Sequence, residues 1–345
     1  MARVLDLVSS GYQITKDLTR SLQSGHLNFL IGSGASQAAI PLAGNFETEV
    51  DALRKAGKHA EANRRVCEML RTVQEPTNKL MAGSTEASIV ATLRSYQNFL
   101  RILERILVDR RTSLLPRQAT VFTTNYDMFI ERASLSCEMA SMANGFGGTS
   151  CLEDAVEFSS KHFFQTTFDS GRSYDYRVEL PAINVVKLHG CLCWERRDGR
   201  IIQRTVSHTI PGILPDDPAV VAALERYAIV LPQATKFETT VLDSTYYELL
   251  RLYSNSLDEE NALLVAFGFS FRDEHILRIT KRALTNPTLR LLIFAYDTAA
   301  RDSYSALFAA HSNVIVLSPP NGEHYDFDQF VAQLTTSAPN RSDWA

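Results

Sequence analysis

Short, continuous runs of apolar residues recur along the whole chain, and each run is closed by small or polar residues. Runs such as 263–267 and 291–294 contain no polar residue at all. A strand that is apolar on both faces needs cover on both faces, which a parallel sheet flanked by helices provides. The predicted strands are residues 26–31, 119–123, 183–188, 227–231, 262–267, 289–295 and 313–317.

Helical patterns separate the later strands, over residues 238–253, 273–284, 299–310 and 327–334. This alternation with short loops predicts an α/β fold with a doubly wound, mostly parallel sheet. We expect one domain over residues 1–345, with a helical insertion at about 45–118 and a mixed insertion at about 132–181. In the first insertion a helix packed on the core is predicted from apolar residues at helical spacing, namely Ile89, Val90, Leu93, Tyr96, Leu100, Leu103 and Leu107.

Composition excludes several classes of protein. The 345 residues are 45% hydrophobic and carry a formal net charge of −4, so a sizeable core is available and no global basic field attracts nucleic acid. No run of about 18 apolar residues predicts a membrane span. The first residues lack the apolar segment of a signal peptide, and five cysteines are an odd number for a disulfide framework. We therefore expect a soluble, cytoplasmic protein without direct nucleic-acid or membrane binding.

Polar clusters follow five of the predicted strands. They are Gly32-Ser33-Gly34-Ala35-Ser36, Thr123-Thr124-Asn125-Tyr126-Asp127, Lys187-Leu188-His189-Gly190, Gly268-Phe269-Ser270 and Tyr296-Asp297. In open parallel sheets the ligand crevice lies outside the carboxyl ends of the strands. We therefore expect the five clusters to converge on one cleft.

Each cluster taken alone also has a purely structural interpretation. The glycines of the first cluster either make a tight turn or let backbone N–H groups approach an anion. Gln37 stands where the dinucleotide fingerprint has its third glycine, which disfavours an ordinary dehydrogenase. Asn125 or Asp127 is placed to cap the following helix, and a lone His189 is often structural. A carboxylate at a sheet edge, such as that of Asp297, suits ribose hydroxyls.

In this order the clusters resemble the motifs of the sirtuin family. Sirtuins present a Gly-Ala-Gly loop followed by Ile-Pro, then Thr-Gln-Asn-Ile-Asp, then His-Gly, then Gly-Thr-Ser. The corresponding residues here are Gly32–Ser36 with Ile40-Pro41, Thr124-Asn125-Tyr126-Asp127, His189-Gly190 and Gly268-Phe269-Ser270. The resemblance spans roughly residues 26–318, and it implies a Rossmann-like fold that binds NAD in an extended pose.

Two departures from deacylating sirtuins refine the resemblance. The Phe-Arg that usually follows Ile-Pro is replaced by Leu42-Ala43-Gly44-Asn45. The zinc module of two Cys-x-x-Cys pairs is reduced to Cys191-Leu192-Cys193, so we expect no zinc-ribbon module and no zinc, and we predict that both thiols are buried. The chain is thus similar to the divergent bacterial sirtuin-like branch that hydrolyses NAD in antiphage defence. The long helical insertion is similar to that branch too.

The chemistry of NAD cleavage suits these residue types. Cleavage converts the positively charged pyridinium of NAD into neutral nicotinamide, so no general acid is needed to protonate the leaving group. An Asn amide holds water or a ribose hydroxyl in line and a His accepts a proton, which makes Asn125 and His189 the candidate catalytic residues. The resemblance implies that Asp127 binds the nicotinamide carboxamide. It also implies that Gly32–Ser36 cradle the pyrophosphate, that Gly268 and Ser270 contact phosphate or ribose, and that Asp297 binds the adenosine ribose.

The leading hypothesis is an NAD glycohydrolase that uses NAD as its substrate and releases nicotinamide and ADP-ribose. Two alternatives stay open: a protein deacylase or ADP-ribosyltransferase, and a non-catalytic sensor of NAD or ADP-ribose. The branch works beside a HerA-type ATPase or a short Argonaute. We therefore expect a homo-oligomer whose assembly restrains its activity. We expect a HerA-type ATPase as its partner, with a short Argonaute as the alternative partner.

Overall fold

The computed structural model describes residues 2–6, 11–42, 44, 46–110, 115–147, 156–170, 177–204, 224, 226–230 and 244–338. The strands are β1 (Arg3–Asp6), β2 (His26–Ile31), β3 (Gln118–Thr123), β4 (Ser141–Ala143), β5 (Val156–Glu157), β6 (Phe168–Ser170), β7 (Arg177–Glu179), β8 (Ala182–Lys187), β9 (Gly190–Arg197), β10 (Arg200–Gln203), β11 (Tyr227–Ile229), β12 (Ala262–Phe267), β13 (Arg290–Phe294) and β14 (Val314–Ser318). The helices are α1 (Gly11–Ser24), α2 (Phe46–Lys55), α3 (His59–Met81), α4 (Ala87–Val108), α5 (Phe129–Ser134), α6 (Ser244–Asp258), α7 (Glu274–Ala283), α8 (Thr298–Leu307) and α9 (Phe327–Ser337).

Eight parallel strands form the central sheet, in the order β1-β14-β13-β12-β2-β3-β8-β4. When the edge strands β1 and β4 are set aside, the remaining strands follow the 3-2-1-4-5-6 order of the Rossmann fold. Helices flank the sheet, so the expected α/β, Rossmann-like, doubly wound fold is confirmed. The strand order reverses between β2 and β12, where Ile31 lies opposite Phe267.

The predicted strand at 227–231 was assigned to the wrong sheet. The structure places β11 in a separate antiparallel sheet of order β11-β9-β10-β5, where Tyr227 lies opposite Glu195. The chain leaves β8 and turns at Gly190, which has a φ of 78° and whose added Cβ would lie 2.1 Å from the Ala228 carbonyl oxygen. A glycine is needed at this turn because L side chains rarely adopt that conformation. Residue 231 lies outside the described residues.

The helical insertion consists of α2, α3 and α4. The predicted stripe of α4 is buried at Ile89 and Tyr96, but Val90 is 45% exposed. Val90 was wrongly included because neighbouring helical residues are about 100° apart, and Phe99 lies on the inner face instead. The stripe packs α4 against α9, where the Phe99 and Phe330 rings have centroids 6.0 Å apart.

The mixed insertion contributes directly to the central sheet. Its strand β4 pairs with β8, with Met142 opposite Ile183. The region predicted as an elaboration therefore extends the sheet by one strand, while residues 148–155 and 171–176 of it lie outside the described residues. The predicted helix at 238–253 corresponds to α6 over residues 244–253. Residues 238–243 lie outside the described residues.

Cys191 and Cys193 lie on β9 and are both buried, as predicted. Their Sγ atoms are 3.4 Å apart, well beyond the ~2.05 Å of a disulfide bond. Burial raises the pKa of the Cys191 thiol to about 12, so this sulfur is protonated at neutral pH. Within the described ranges, no group of three or more His, Cys, Asp or Glu side chains is placed to hold a metal ion. No helix in that part of the chain is long and apolar enough to cross a membrane.

Candidate functional site at the carboxyl edge of the sheet

The first polar cluster packs directly against the fourth. The backbone N–H of Gly32 donates to the Phe267 carbonyl at 2.9 Å, and that of Gly34 donates to the Gly268 carbonyl at 3.0 Å. A Cβ at Gly32 would lie 2.3 Å from the Gly268 oxygen, and one at Gly34 would lie 2.7 Å from the Gly268 Cα. These glycines are required because the loops after β2 and β12 touch where the strand order reverses.

This contact determines which groups of the first cluster can bind an anion. The N–H groups of Gly32 and Gly34 are used by the β12 loop, and Ala35 donates its N–H to the Gly32 carbonyl at 3.1 Å. The tight-turn interpretation of the glycines is therefore supported, and these three donors are committed within the protein. Ser33 and Ser270 are exposed at the same edge, so their hydroxyls are the accessible polar groups of the two clusters.

Asn125 lies two residues after the end of β3 and is only 7% exposed. Its Nδ2 donates to the Gly32 carbonyl at 3.1 Å and lies 3.3 Å from the Tyr96 hydroxyl. Its Oδ1 is buried and has no hydrogen-bond partner among the described residues. An unsatisfied buried acceptor costs free energy, so this oxygen is a candidate to accept a hydrogen bond from water or from a bound molecule.

Tyr96 connects the helical insertion to this site. Its hydroxyl lies 3.0 Å from the Ser36 Oγ and accepts a hydrogen bond from the Asn125 Nδ2 at 3.3 Å. Burial raises the pKa of Tyr96, so the hydroxyl stays protonated. The sequence predicted Tyr96 only as a core residue of α4, because nothing in its helical spacing indicates where a hydroxyl points.

Asp127 is 3% exposed and both of its carboxylate oxygens have partners within the protein. Oδ1 accepts the backbone N–H of Phe129, the first residue of α5, at 3.1 Å. Oδ2 accepts the Ser36 hydroxyl at 2.9 Å. Asp127 thus contacts the start of α5, although Met128 and not Asp127 is the N-cap residue, and it also fixes the end of the glycine loop against the β3 loop.

The side chain of Lys187 holds the backbone of the loop that follows β3. Its Nζ is 2% exposed, donates to the carbonyls of Asn125 and Asp127, and lies 3.1 Å from the Glu131 Oε1. Burial alone would lower the pKa of Lys187, but the neighbouring carboxylates of Glu131 and Asp127 raise it above its usual value. The sequence placed Lys187 in a cluster without giving it a role. A lysine at the end of an apolar strand was the available signal.

His189 lies two residues after the end of β8, and its side chain is 11% exposed. Its Nε2 is 3.1 Å from the Oδ2 of Asp273. Asp273 was predicted only as the cap of the following helix, and it does accept the backbone N–H groups of His275 and Ile276 at the start of α7. The contact with His189 could not be predicted from the sequence, because it joins loops of two non-adjacent strands.

The structure brings four of the five clusters together. Thr123 and Lys187 are opposite each other, and Leu188 donates its N–H to the Thr123 carbonyl at 2.8 Å, so the loops bearing Asn125 and His189 emerge side by side. The fifth cluster lies at the end of β13. There Asp297 accepts the Ala300 N–H at 2.7 Å and caps α8, which is a structural role.

Comparison with known proteins adds no assignment, because no protein-family model and no curated protein matches the chain.

The contact between the two loops makes a specific prediction. We expect Gly32→Ala to destabilise the protein by about 1–3 kcal/mol, because its Cβ would overlap the Gly268 carbonyl and the two backbones would have to separate. Gly11→Ala is the matched control, since a Cβ there meets nothing within 4 Å. Urea denaturation of both variants checks this, and equal midpoints would contradict the close approach.

Proposed function

We propose that this chain binds NAD at the carboxyl edge of the sheet and hydrolyses its nicotinamide–ribose bond. The observation that carries the proposal is the buried, unsatisfied Oδ1 of Asn125, on a loop beside the one that bears His189. The position supports it as well, because doubly wound sheets bind ligands where the strand order reverses, here between β2 and β12. The order of the motifs, which resembles that of sirtuins, supports NAD as the ligand.

The proposed reaction is hydrolysis without covalent attachment to the protein. The bond between the nicotinamide ring nitrogen and ribose C1′ breaks, and its electron pair neutralises the pyridinium, which leaves as nicotinamide. A water oxygen forms the new bond to C1′ and yields ADP-ribose. Asn125 Oδ1 accepts a hydrogen bond from that water or from a ribose hydroxyl, and His189 takes the released proton and passes it to solvent.

The proposed binding groups of the edge are partly exposed and partly buried. The exposed hydroxyls of Ser33 and Ser270 donate to the pyrophosphate, in place of the committed glycine N–H groups. Arg272, exposed in the loop that begins at Gly268, adds a positive charge. A carboxylate oxygen of Asp127 accepts a hydrogen bond from the nicotinamide carboxamide through a second lone pair. A carboxylate oxygen of Asp297 accepts one from a hydroxyl of the adenosine ribose in the same way.

Product analysis tests the activity. We expect purified protein and NAD to give nicotinamide and ADP-ribose in equal amounts, with no change on adding an acetylated peptide. Nicotinamide that appears only with the peptide, together with an acetylated ADP-ribose, would favour the deacylase. ADP-ribose found attached to a protein acceptor would favour the transferase. Binding of NAD without any nicotinamide, with or without a partner protein, would favour the sensor.

The biological role is proposed on the resemblance alone. Depletion of NAD would serve antiphage defence. Homo-oligomerisation, together with binding of a HerA-type ATPase or of a short Argonaute, would restrain the enzyme until infection. Native mass measurement, with turnover assayed for the chain alone and with each partner, tests this. We expect an oligomer whose rate depends on the partner, and a monomer with an unaltered rate would contradict it.

A further inference from the structure

We infer that Asp273 is a positioning residue that holds His189 in the tautomer with its proton on Nε2. The catalytic consequence rests on the proposed function, because the remaining nitrogen, Nδ1, then becomes the proton acceptor in NAD cleavage. The geometry that carries the inference is the 3.1 Å separation between the Nε2 of His189 and the Oδ2 of Asp273.

The carboxylate of Asp273 is well fixed for this task. It is buried, and its Oδ1 accepts the N–H groups of His275 and Ile276 at 3.1 and 3.2 Å. The Nδ1 of His275 lies 3.3 Å from the same oxygen. Capping the helix therefore occupies Oδ1, while Oδ2 faces His189. The other carboxylate oxygen, Oδ2, is the one that lies 3.1 Å from the His189 Nε2.

Within the part of the chain that the structure describes, Asp273 is the charged group in contact with the His189 ring. The Tyr126 ring lies at a tilt of 31° with its centroid 6.4 Å away. The Tyr126 hydroxyl donates to the Val230 carbonyl at 2.7 Å, and Val230 donates its N–H to the His189 carbonyl at 2.9 Å. The backbone of His189 is thus held by β11, and the imidazole is held by α7.

A carboxylate fixes a tautomer because it only accepts hydrogen bonds. The imidazole nitrogen that faces the carboxylate of Asp273 must carry the hydrogen, which leaves the other nitrogen with a free lone pair. The reversed tautomer would present an N–H where an acceptor is needed. In enzymes with an Asp–His pair, replacing the carboxylate by an amide is costly for this reason.

The test is Asp273→Asn, read by ¹⁵N NMR of the imidazole nitrogens in the full chain without NAD. Asn is among the best capping residues, so α7 keeps its cap, but the amide group can donate to Nε2. We expect Nε2–H in the wild type and Nδ1–H in the variant, with nicotinamide release reduced roughly 10²–10⁴-fold. Asp273→Ser, which caps without a carboxylate, should also lose the fixed tautomer.

Asp326→Asn is the matched control, because Asp326 caps α9 by accepting the Gln329 N–H at 2.8 Å and has no role in the site. It should leave both tautomer and rate unchanged. An Nδ1–H tautomer in the wild type, or an Asp273→Asn variant with unchanged spectrum and rate, would overturn the inference. If the wild type shows Nε2–H but never cleaves NAD, the proposed function fails while the positioning by Asp273 stands.

Discussion

Asn125→Ala is expected to lower the rate of nicotinamide release by about 10²-fold or more, because the Oδ1 that orients water or a ribose hydroxyl is lost. The fold should survive, since most contacts of the β3 loop remain: Lys187 still donates to its backbone carbonyls, and Asp127 still accepts from Ser36. The measurement is kcat and KM for NAD with purified, folded variant. The loss should fall mainly on kcat.

Asn28→Ala is the matched control for this substitution. Asn28 is also a buried amide, on β2, but its Nδ2 donates to the carbonyls of His26 and Ser256, away from the carboxyl edge. Both variants remove a buried side-chain amide, so both should lose some stability, while only Asn125→Ala should lose activity. Near-normal turnover by Asn125→Ala would contradict the role of its Oδ1.

Lys187→Met is expected to destabilise the protein by about 3–5 kcal/mol, because it leaves the Glu131 carboxylate, whose side chain is only 14% exposed, without its counter-ion. Chemical denaturation monitored by circular dichroism measures this loss. Lys58→Met is the matched control: its ion pair with Glu61 is exposed, and breaking it should cost at most about 1 kcal/mol. Equal effects of the two substitutions would contradict a stabilising ion pair between Lys187 and Glu131.

The double variant Lys187→Met with Glu131→Leu separates stability from function. Replacing a buried ion pair by apolar side chains of similar size is often neutral, so most of the stability should return. The carbonyls of Asn125 and Asp127 would still lack the lysine donor, and we therefore expect activity to stay low. Recovery of both stability and activity would mean that Lys187 does not position the loop.

The buried part of the sheet was predictable because its strands are apolar on both faces. Short runs rich in apolar residues identified β2, β3, β8, β12, β13 and β14. The edge strands β1 and β4 were missed, since each is short and carries polar residues such as Arg3 and Ser141. Apolar content also says nothing about pairing, and for this reason β11 was assigned to the wrong sheet.

The site was predictable as a set of strand ends, but its contacts were not. Four clusters converge because neighbouring parallel strands end at one edge. The sequence could not show that the β12 loop takes up the N–H groups of Gly32 and Gly34, since that depends on how two distant loops pack. For the same reason it missed the Tyr96 hydroxyl beside Asn125 and the carboxylate of Asp273 beside His189.

The most direct test of NAD cleavage at this edge is an experimental structure of the His189→Ala variant with intact NAD bound. The expected result is NAD across the ends of β2 and β12, with a ribose hydroxyl or an ordered water within about 2.7–3.2 Å of the Asn125 Oδ1. The pyrophosphate should lie beside the hydroxyls of Ser33 and Ser270. NAD bound elsewhere on the protein, or an empty edge at millimolar NAD, would contradict the account.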